Sequence, residues 1–506
     1  MRATILLILC FLRASAANFY VSTNGSSSGS GTIGSPWDFG TALGDNASEA
    51  SSNAVVSAGD TIWLAGGTYY GPFTSYLTGS PSSQIRVRPN PGHHVKVDGT
   101  NSPGSHVVLV LGGYVDFMDL EVTISNTNRV EARGAGFYIL APGIRVIDSI
   151  VHNCGNGIST WAEAPDCEVS GCIIYHGGWQ GADPDRGHGH GMYVQNDTGV
   201  KTITGNIIFS QFGKGIQAYT ESGFLRAINV SSNIIFDSGS IGRDGSQEDQ
   251  ILIGGLRPAD EITVSRNVTY ASYGGGTHLR LGYSSLATNG TAVVENNTFI
   301  SGGSHSFQYW TNLTVRSNIF KNDALTWFIL QHTNSTPVEL YDWDANTYYS
   351  DGGFWVTGTN YTFSQWTNVF GHDLASSWSS ESNASGSWTY VIPNKNTAGR
   401  ANIAIVNWGL ADNVDVNLSG VMNSGDGYEI RNAQDFFSGP VLNGTFSGSS
   451  ISFPMTNLSL SAVIGSTNAQ TVTWPQFNAF VLLSSAASVS GSATANSATI
   501  GRITVR

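Results

Sequence analysis

The sequence predicts an all-β protein, a parallel β-helix followed by a small C-terminal β-sandwich, and three observations carry that reading. First, Asn206, Asn233, Asn267, Asn297, Asn318 and Asn346 each open a β-branched or aromatic run, at intervals of 21 to 34 residues. No helical periodicity fills the intervals, so each unit reads as one coil of a solenoid. Second, only 12% of residues are charged while 61 are glycine, a balance that suits a turn-rich β chain. Third, from about Trp388 the repeat gives way to alternating runs beginning at Ala401, Val414, Tyr428, Ile451 and Phe480, the pattern of a sandwich.

The elements follow in order. Met1-Arg2, an apolar run from Ile5 to Leu12 and Ala14-Ser15-Ala16-Ala17 have the form of a secretory signal over residues 1–17, which predicts an extracellular protein. The run is too short to span a bilayer, and no later segment reaches about 18 apolar residues, so no membrane partner is expected. The β-helix is expected over 18–355, a cap or linker over 356–387, the sandwich over 388–484 and a flexible Ser/Ala-rich tail over 485–506. The asparagine column predicts a ladder of stacked amides at one corner of the helix. A net charge of −13 with no basic run excludes nucleic acid as a partner, and a monomer is expected. Cys10 leaves with the signal; Cys154, Cys167 and Cys172 are too few and odd in number for a disulfide framework and read as buried thiols. Asn229, Asn267 and Asn312 head sequons that are glycan acceptors in a secreted chain of an organism that glycosylates, so a glycoprotein is expected there.

Phe19-Tyr20-Val21-Ser22, Gly59-Asp60-Thr61-Ile62-Trp63-Leu64, Gly66-Gly67-Thr68-Tyr69 and Val95-Lys96-Val97-Asp98-Gly99 resemble the opening coils of secreted right-handed β-helix proteins. The resemblance is to the pectate-lyase-like superfamily, the chondroitinase B and alginate lyase group in particular, over roughly residues 18–350. It implies a right-handed helix (the pectin lyase-like fold) and a polysaccharide substrate.

Each coil carries a second run, in which Ile158, Met192, Ile216, Ile251, Leu279 and Phe307 are expected to point inward. The outward set then contains Tyr193, Gln195, Gln217, Tyr219, His278, Arg280, Gln308 and Trp310. Aromatic faces cover sugar C–H patches while amides and cations take hydroxyls and carboxylates, so this face reads as substrate-binding. Two long loops lead into it, His176 to Gly189 with Asp183, Asp185 and Arg186, and Gly239 to Glu248; both read as cleft walls, with Arg186 on the substrate. Between them His190, Lys214 and Asp249 align on consecutive coils. β-Elimination from a uronate polymer needs a base, a group to neutralise the carboxylate and an acid. Lys214 is the expected base, Arg280 the carboxylate holder, and His190, His278 or Tyr219 the acid. The resemblance agrees in kind, since that group uses lysine and arginine on neighbouring coils. The rival is a glycoside hydrolase pairing Asp183 or Asp185 with Glu248 or Asp249; uronate epimerisation and a non-catalytic glycan-binding module are the other readings. The sequence specifies no cofactor. Ca2+ held by Asp183 and Asp185 is the one considered, while His188 and His190 lack a third ligand for zinc.

Overall fold

The computed structural model describes residues 16–46, 49–50, 55–180, 188–242, 248–272, 277–322, 327–332 and 336–485. Expectations that fall on the signal segment before residue 16, on Asp183, Asp185 and Arg186, or on the tail beyond Ser485 lie outside the described residues. Three sheets of 12 strands run side by side, and consecutive strands fall in turn on the first, second and third of them. Thus Lys201–Thr204 lies in the first sheet, Ile207–Phe209 in the second and Ile216–Ala218 in the third, before the chain returns at Ile228–Ser231. Every coil-to-coil pairing is parallel, with no register slip along the third sheet from Phe137 to Leu281.

Inward residues pack into one continuous core. Ile158, Met192, Ile216, Ile251 and Leu279 are paired in register and fully buried. Burial of each such side chain stabilises by roughly 1.5–3 kcal/mol. Phe307 also faces in, but it pairs with Leu281 rather than Leu279, two residues further along the strand. Cys154, Cys167 and Cys172 are buried free thiols, and burial pushes Cys154 and Cys172 up to about 12.

The corner between the first and second sheets is a two-residue turn repeated from coil to coil. Gly205, Ser232, Arg266, Asn296, Ser317 and Ala345 hold left-handed φ values between 55° and 64°, and an asparagine follows each. The side-chain oxygen of Asn267 accepts from both the backbone and side-chain N–H groups of Asn233, each at 3.0 Å. Its own amide donates to Val230 O and to Asn297, both at 2.9 Å. This is the predicted ladder. It also fixes the fate of one sequon: Asn267 is fully buried, so the folded chain has no room for a glycan there, whereas Asn312 is exposed.

The helical repeat continues beyond residue 355. Gly353–Val356 extends the third sheet, Ser377–Ser379 the second, and the helix Phe363–Phe370 between them closes the end. Trp366 from that helix stacks on Phe354 at 4.3 Å, and its indole donates to buried Asp373, which also accepts from Tyr348, Asn346 and Ser376. The C-terminal unit begins at Ser387–Pro393 and consists of a five-stranded antiparallel sheet and a two-stranded one. It packs on the outer face of the second sheet. Strands there, such as Ile207–Phe209, are apolar at every position because both faces are covered. Tyr175, Phe209 and Phe236 stack coil on coil at 5.0 Å, and Phe477 of the C-terminal sheet stacks on Tyr270 at 4.4 Å. Among the described residues no helix is long and apolar enough to cross a membrane.

One contact beneath this interface predicts an acid-sensitive fold. Buried Glu121 lies 2.7 Å from His94 Nε2 and 3.1 Å from His152 Nε2, and Phe437 of the C-terminal unit packs near both rings. Burial pushes this carboxyl up, but hydrogen bonds and charge from His152 and His94 outweigh it and hold Glu121 well below the usual carboxylate range. A depressed folded value stabilises the fold above the unfolded value of about 4.3, and that stability is lost as pH falls through the folded value. Glu121→Gln should therefore cost about 1–3 kcal/mol at pH 7 and flatten the fall of Tm below about pH 4, as read by calorimetry across pH.

Candidate functional site

A groove of about 710 Å³ lies over the outer face of the third sheet. Strict alternation builds its floor: Tyr138, Ser159, Tyr193, Gln217, Leu252 and Arg280 are register partners on six consecutive coils, and all six line it. Trp179 and His188, stacked at 5.0 Å, come from the loop that enters the third sheet. Tyr219, Glu221 and Tyr283 come from the turns that leave it.

At the starts of these strands His190, Lys214 and Asp249 fall on consecutive coils, joined by backbone bonds from Gly191 to Lys214 O and from Gly215 to Asp249 O. Gly191 is required there. A Cβ on it would lie 2.5 Å from Ile208 Cγ2 and 2.7 Å from Gly215 O. Lys214 Nζ stands 2.7 Å from Glu248 Oε2 and 4.0 Å from Asp249 Oδ2, and Arg280 Nη2 lies 3.6 Å from Asp249 Oδ1. Asp249 is thus a buried carboxylate beneath two cations that reach the groove. Burial raises its pKa, while Arg280 and Lys214 pull it back. The side chains of Lys214 and Arg280 remain 18% and 35% exposed, enough for a ligand to touch them.

His190 stands behind this centre rather than in it. It is buried, outside the groove lining, and its Nδ1 accepts the backbone N–H of Lys214 at 3.0 Å. The imidazole thereby fixes the lysine's backbone. His188 is exposed in the groove, so the two histidines do not share one face.

Four expected cleft residues lie outside the groove lining, two of them buried in the interior. His278 sits one residue before its strand, where the corner turns the ring inward; Nδ1 pairs with Thr269 Oγ1 at 2.7 Å and Nε2 with Ser301 O. Trp310 follows the left-handed turn at Tyr309 and opens the first-sheet strand Trp310–Arg316, fully buried with its indole donating to Leu281 O. The shifted register of Phe307 is the reason, since the third-sheet strand ends at Gln308. Gln308 and Gln195 are half-buried and outside the groove lining; Gln308 donates to Ser306 Oγ, and Gln195 donates to Tyr219 O. Tyr193 OH donates to the same Tyr219 carbonyl at 3.3 Å. Burial raises the pKa of both tyrosines.

His106, Tyr138, Trp161 and Tyr283 line the groove without having been anticipated. A signal existed for one of them. Gly136-Phe137-Tyr138-Ile139 repeats the pattern Gly191-Met192-Tyr193-Val194 two coils earlier. Among the described residues no group of three or more His, Cys, Asp or Glu is arranged to hold a metal.

The family model described as a right handed beta helix region matches residues 93–247, in agreement with the handedness that the resemblance of the opening coils implies. Among solved structures the chain is similar to pectate lyase Pel9A, with 17% identity, 69% of this chain and 82% of that chain covered, and a TM-score of 0.45. It is similar to an alginate lyase from a Paenibacillus species, with 16% identity, coverage of 68% and 99%, and a TM-score of 0.39. A third similar structure is the Dettilon tailspike protein, with 10% identity, coverage of 84% and 87%, and a TM-score of 0.35. No curated protein matches.

Proposed function

We propose that this is a secreted carbohydrate-active enzyme that cleaves a uronate-containing polysaccharide by β-elimination. The observation that carries the reading is the pair of cations, Lys214 and Arg280, held over buried Asp249 in the floor of an aromatic-lined groove. A proton α to a carboxylate leaves only when the developing negative charge is stabilised. Arg280 offers a planar fork for the substrate carboxylate. Lys214 is the base: its ammonium first passes a proton to Glu248, 2.7 Å away, and the neutral amine then takes the α proton. The C–H electrons become the new C=C bond as the glycosidic C–O bond breaks, and the leaving oxygen takes a proton. Tyr219 gives that proton, since it lines the groove whereas His190 and His278 are buried outside it.

Hydrolysis is the second reading, and one observation favours it. Glu248 and Asp249 flank a single ammonium at 2.7 and 4.0 Å, within reach of the roughly 5–9 Å separations of glycosidase pairs, and burial raises the pKa of Asp249. A panel of uronate and neutral glycans separates the readings. Ultraviolet absorbance of an unsaturated product rising with reducing ends supports elimination. Reducing ends without it would overturn the lyase in favour of the hydrolase, and binding without either product marks a glycan-binding module.

Asp249 acts on this reading through its neighbours. Asp249→Asn should lower kcat about 10- to 100-fold while the fold is retained. In the wild type, protonation of Asp249 should produce an acid limb in the rate profile above the ordinary aspartate value of about 3.9, because its pKa is raised. That limb should vanish in Asp249→Asn, which a pH–rate profile of both proteins checks.

A further inference from the structure

The β-helix carries two columns of aromatic side chains on its outer surface, and they have different fates. The first, Tyr175, Phe209 and Phe236 on the second sheet, is stacked at 5.0 Å with ring planes within 8° and is buried by the C-terminal sheet. The second, on the third sheet, runs Tyr138, Trp161 and Tyr193. Its ring centroids are 5.3 Å apart at each step and its planes are tilted by 43°, a staircase rather than a stack. His106 lies parallel to Tyr138 at 3.9 Å and extends the surface by one coil. These rings are only half-buried, and among the described residues nothing covers their groove-facing side. Three aromatic side chains left uncovered in one row are the sort of surface that a ligand completes.

We propose that Tyr138, Trp161 and Tyr193 form a sugar-binding platform on the N-terminal side of the Lys214–Arg280 centre, which holds a pyranose chain along the helix axis. The proposal rests on the polysaccharide reading above and deepens it by assigning direction and length. Coils repeat at about 4.8 Å, so Tyr138 to Arg280, five coils apart, spans about 24 Å, room for several consecutive sugars. Tilted rings suit a ligand whose successive rings turn about the chain axis, each presenting a C–H face to one aromatic plane. Lys214 and Arg280 lie at one end of the row, while Arg133, the cation lining the other end, is buried and donates to the carbonyls of Asn153, Asn128, Ile124 and Asn126, so the carboxylate at the reacting sugar is fixed while the platform grips the sugars on one side of it. Substrates too short to reach the platform should bind weakly, and cleavage should fall within long chains.

The test is calorimetric binding of size-graded oligouronates, two to six residues long, made from polygalacturonate and from alginate, with cello-oligosaccharides as the neutral arm. For wild-type protein, affinity should rise with each added residue up to at least four. Trp161→Ala should lose about tenfold in affinity (1.4 kcal/mol) for the longest chains and little for dimers, with Trp161→Phe restoring most of it. Tyr138→Ala provides a second variant if Trp161→Ala fails to fold, and far-ultraviolet circular dichroism decides which variant is read. Affinity independent of length, or unchanged in both variants, would overturn the platform even if cleavage proceeds. Length-dependent binding lost in the variants without unsaturated product would leave the platform standing and remove the lyase. Failure of every probe to bind would remove both.

Discussion

Lys214→Ala is expected to reduce kcat on the cleaved glycan by at least about 10²- to 10⁴-fold while leaving the fold intact. The reason is local. Lys214 contributes its ammonium to the groove, but its place in the coil is fixed by backbone bonds to His190 Nδ1 and from Gly191, which alanine keeps. Glu248, its nearest partner, is 41% exposed and can be solvated when the lysine is gone, and buried Asp249 keeps Arg280 at 3.6 Å. Activity should therefore fall without a matching fall in Tm. Adding a small primary amine to the variant should recover part of the rate, which a purely structural role would not allow. Full activity in Lys214→Ala would remove it as the base. Arg280→Lys should weaken substrate binding, because a point charge replaces a planar fork.

Asn267→Ala is expected to be the most damaging single change to stability, about 3–5 kcal/mol, seen as a lowered denaturation midpoint with little effect on the unfolding slope. Asparagine at this position makes four hydrogen bonds in a fully buried corner. Alanine would leave the Asn233 backbone and side-chain N–H groups and Val230 O without these partners, each at the cost of a buried unsatisfied group. Asn312→Ala, at an exposed position, should change stability by less than about 0.5 kcal/mol and serves as the control. If the two variants unfold alike, the ladder does not hold the coils together.

Much of the fold was legible because the β-helix repeats one local rule. The asparagine column, the inward apolar column and the third-sheet strand starts could all be read by aligning short runs, and the alignment of His190, Lys214 and Asp249 followed from them. It failed where the rule slipped. At Phe307 the register moves by two residues, which carries Trp310 out of the groove and into the core. At His278 the corner turns inward before strand alternation begins, so a polar side chain became part of the interior. Tyr138 lies outside that column although its surrounding pattern matches that of Tyr193, because the column starts at Ile158, one coil further along.

The sequence by itself determined the periodicity, hence the coil, its core face, its amide corner and the pair of cations on one outer face. All of these depend on alternation and on nearest-neighbour stacking, which are local in sequence once the repeat is found. Only the tertiary structure decided which aromatic column the C-terminal sheet covers and which is left lining the groove. It alone separated His190, buried against a backbone N–H, from Lys214 one coil away, and placed Asp249 beneath both cations. Those outcomes depend on contacts between residues far apart in the chain, and on whether a corner turns in or out, which residue spacing does not encode.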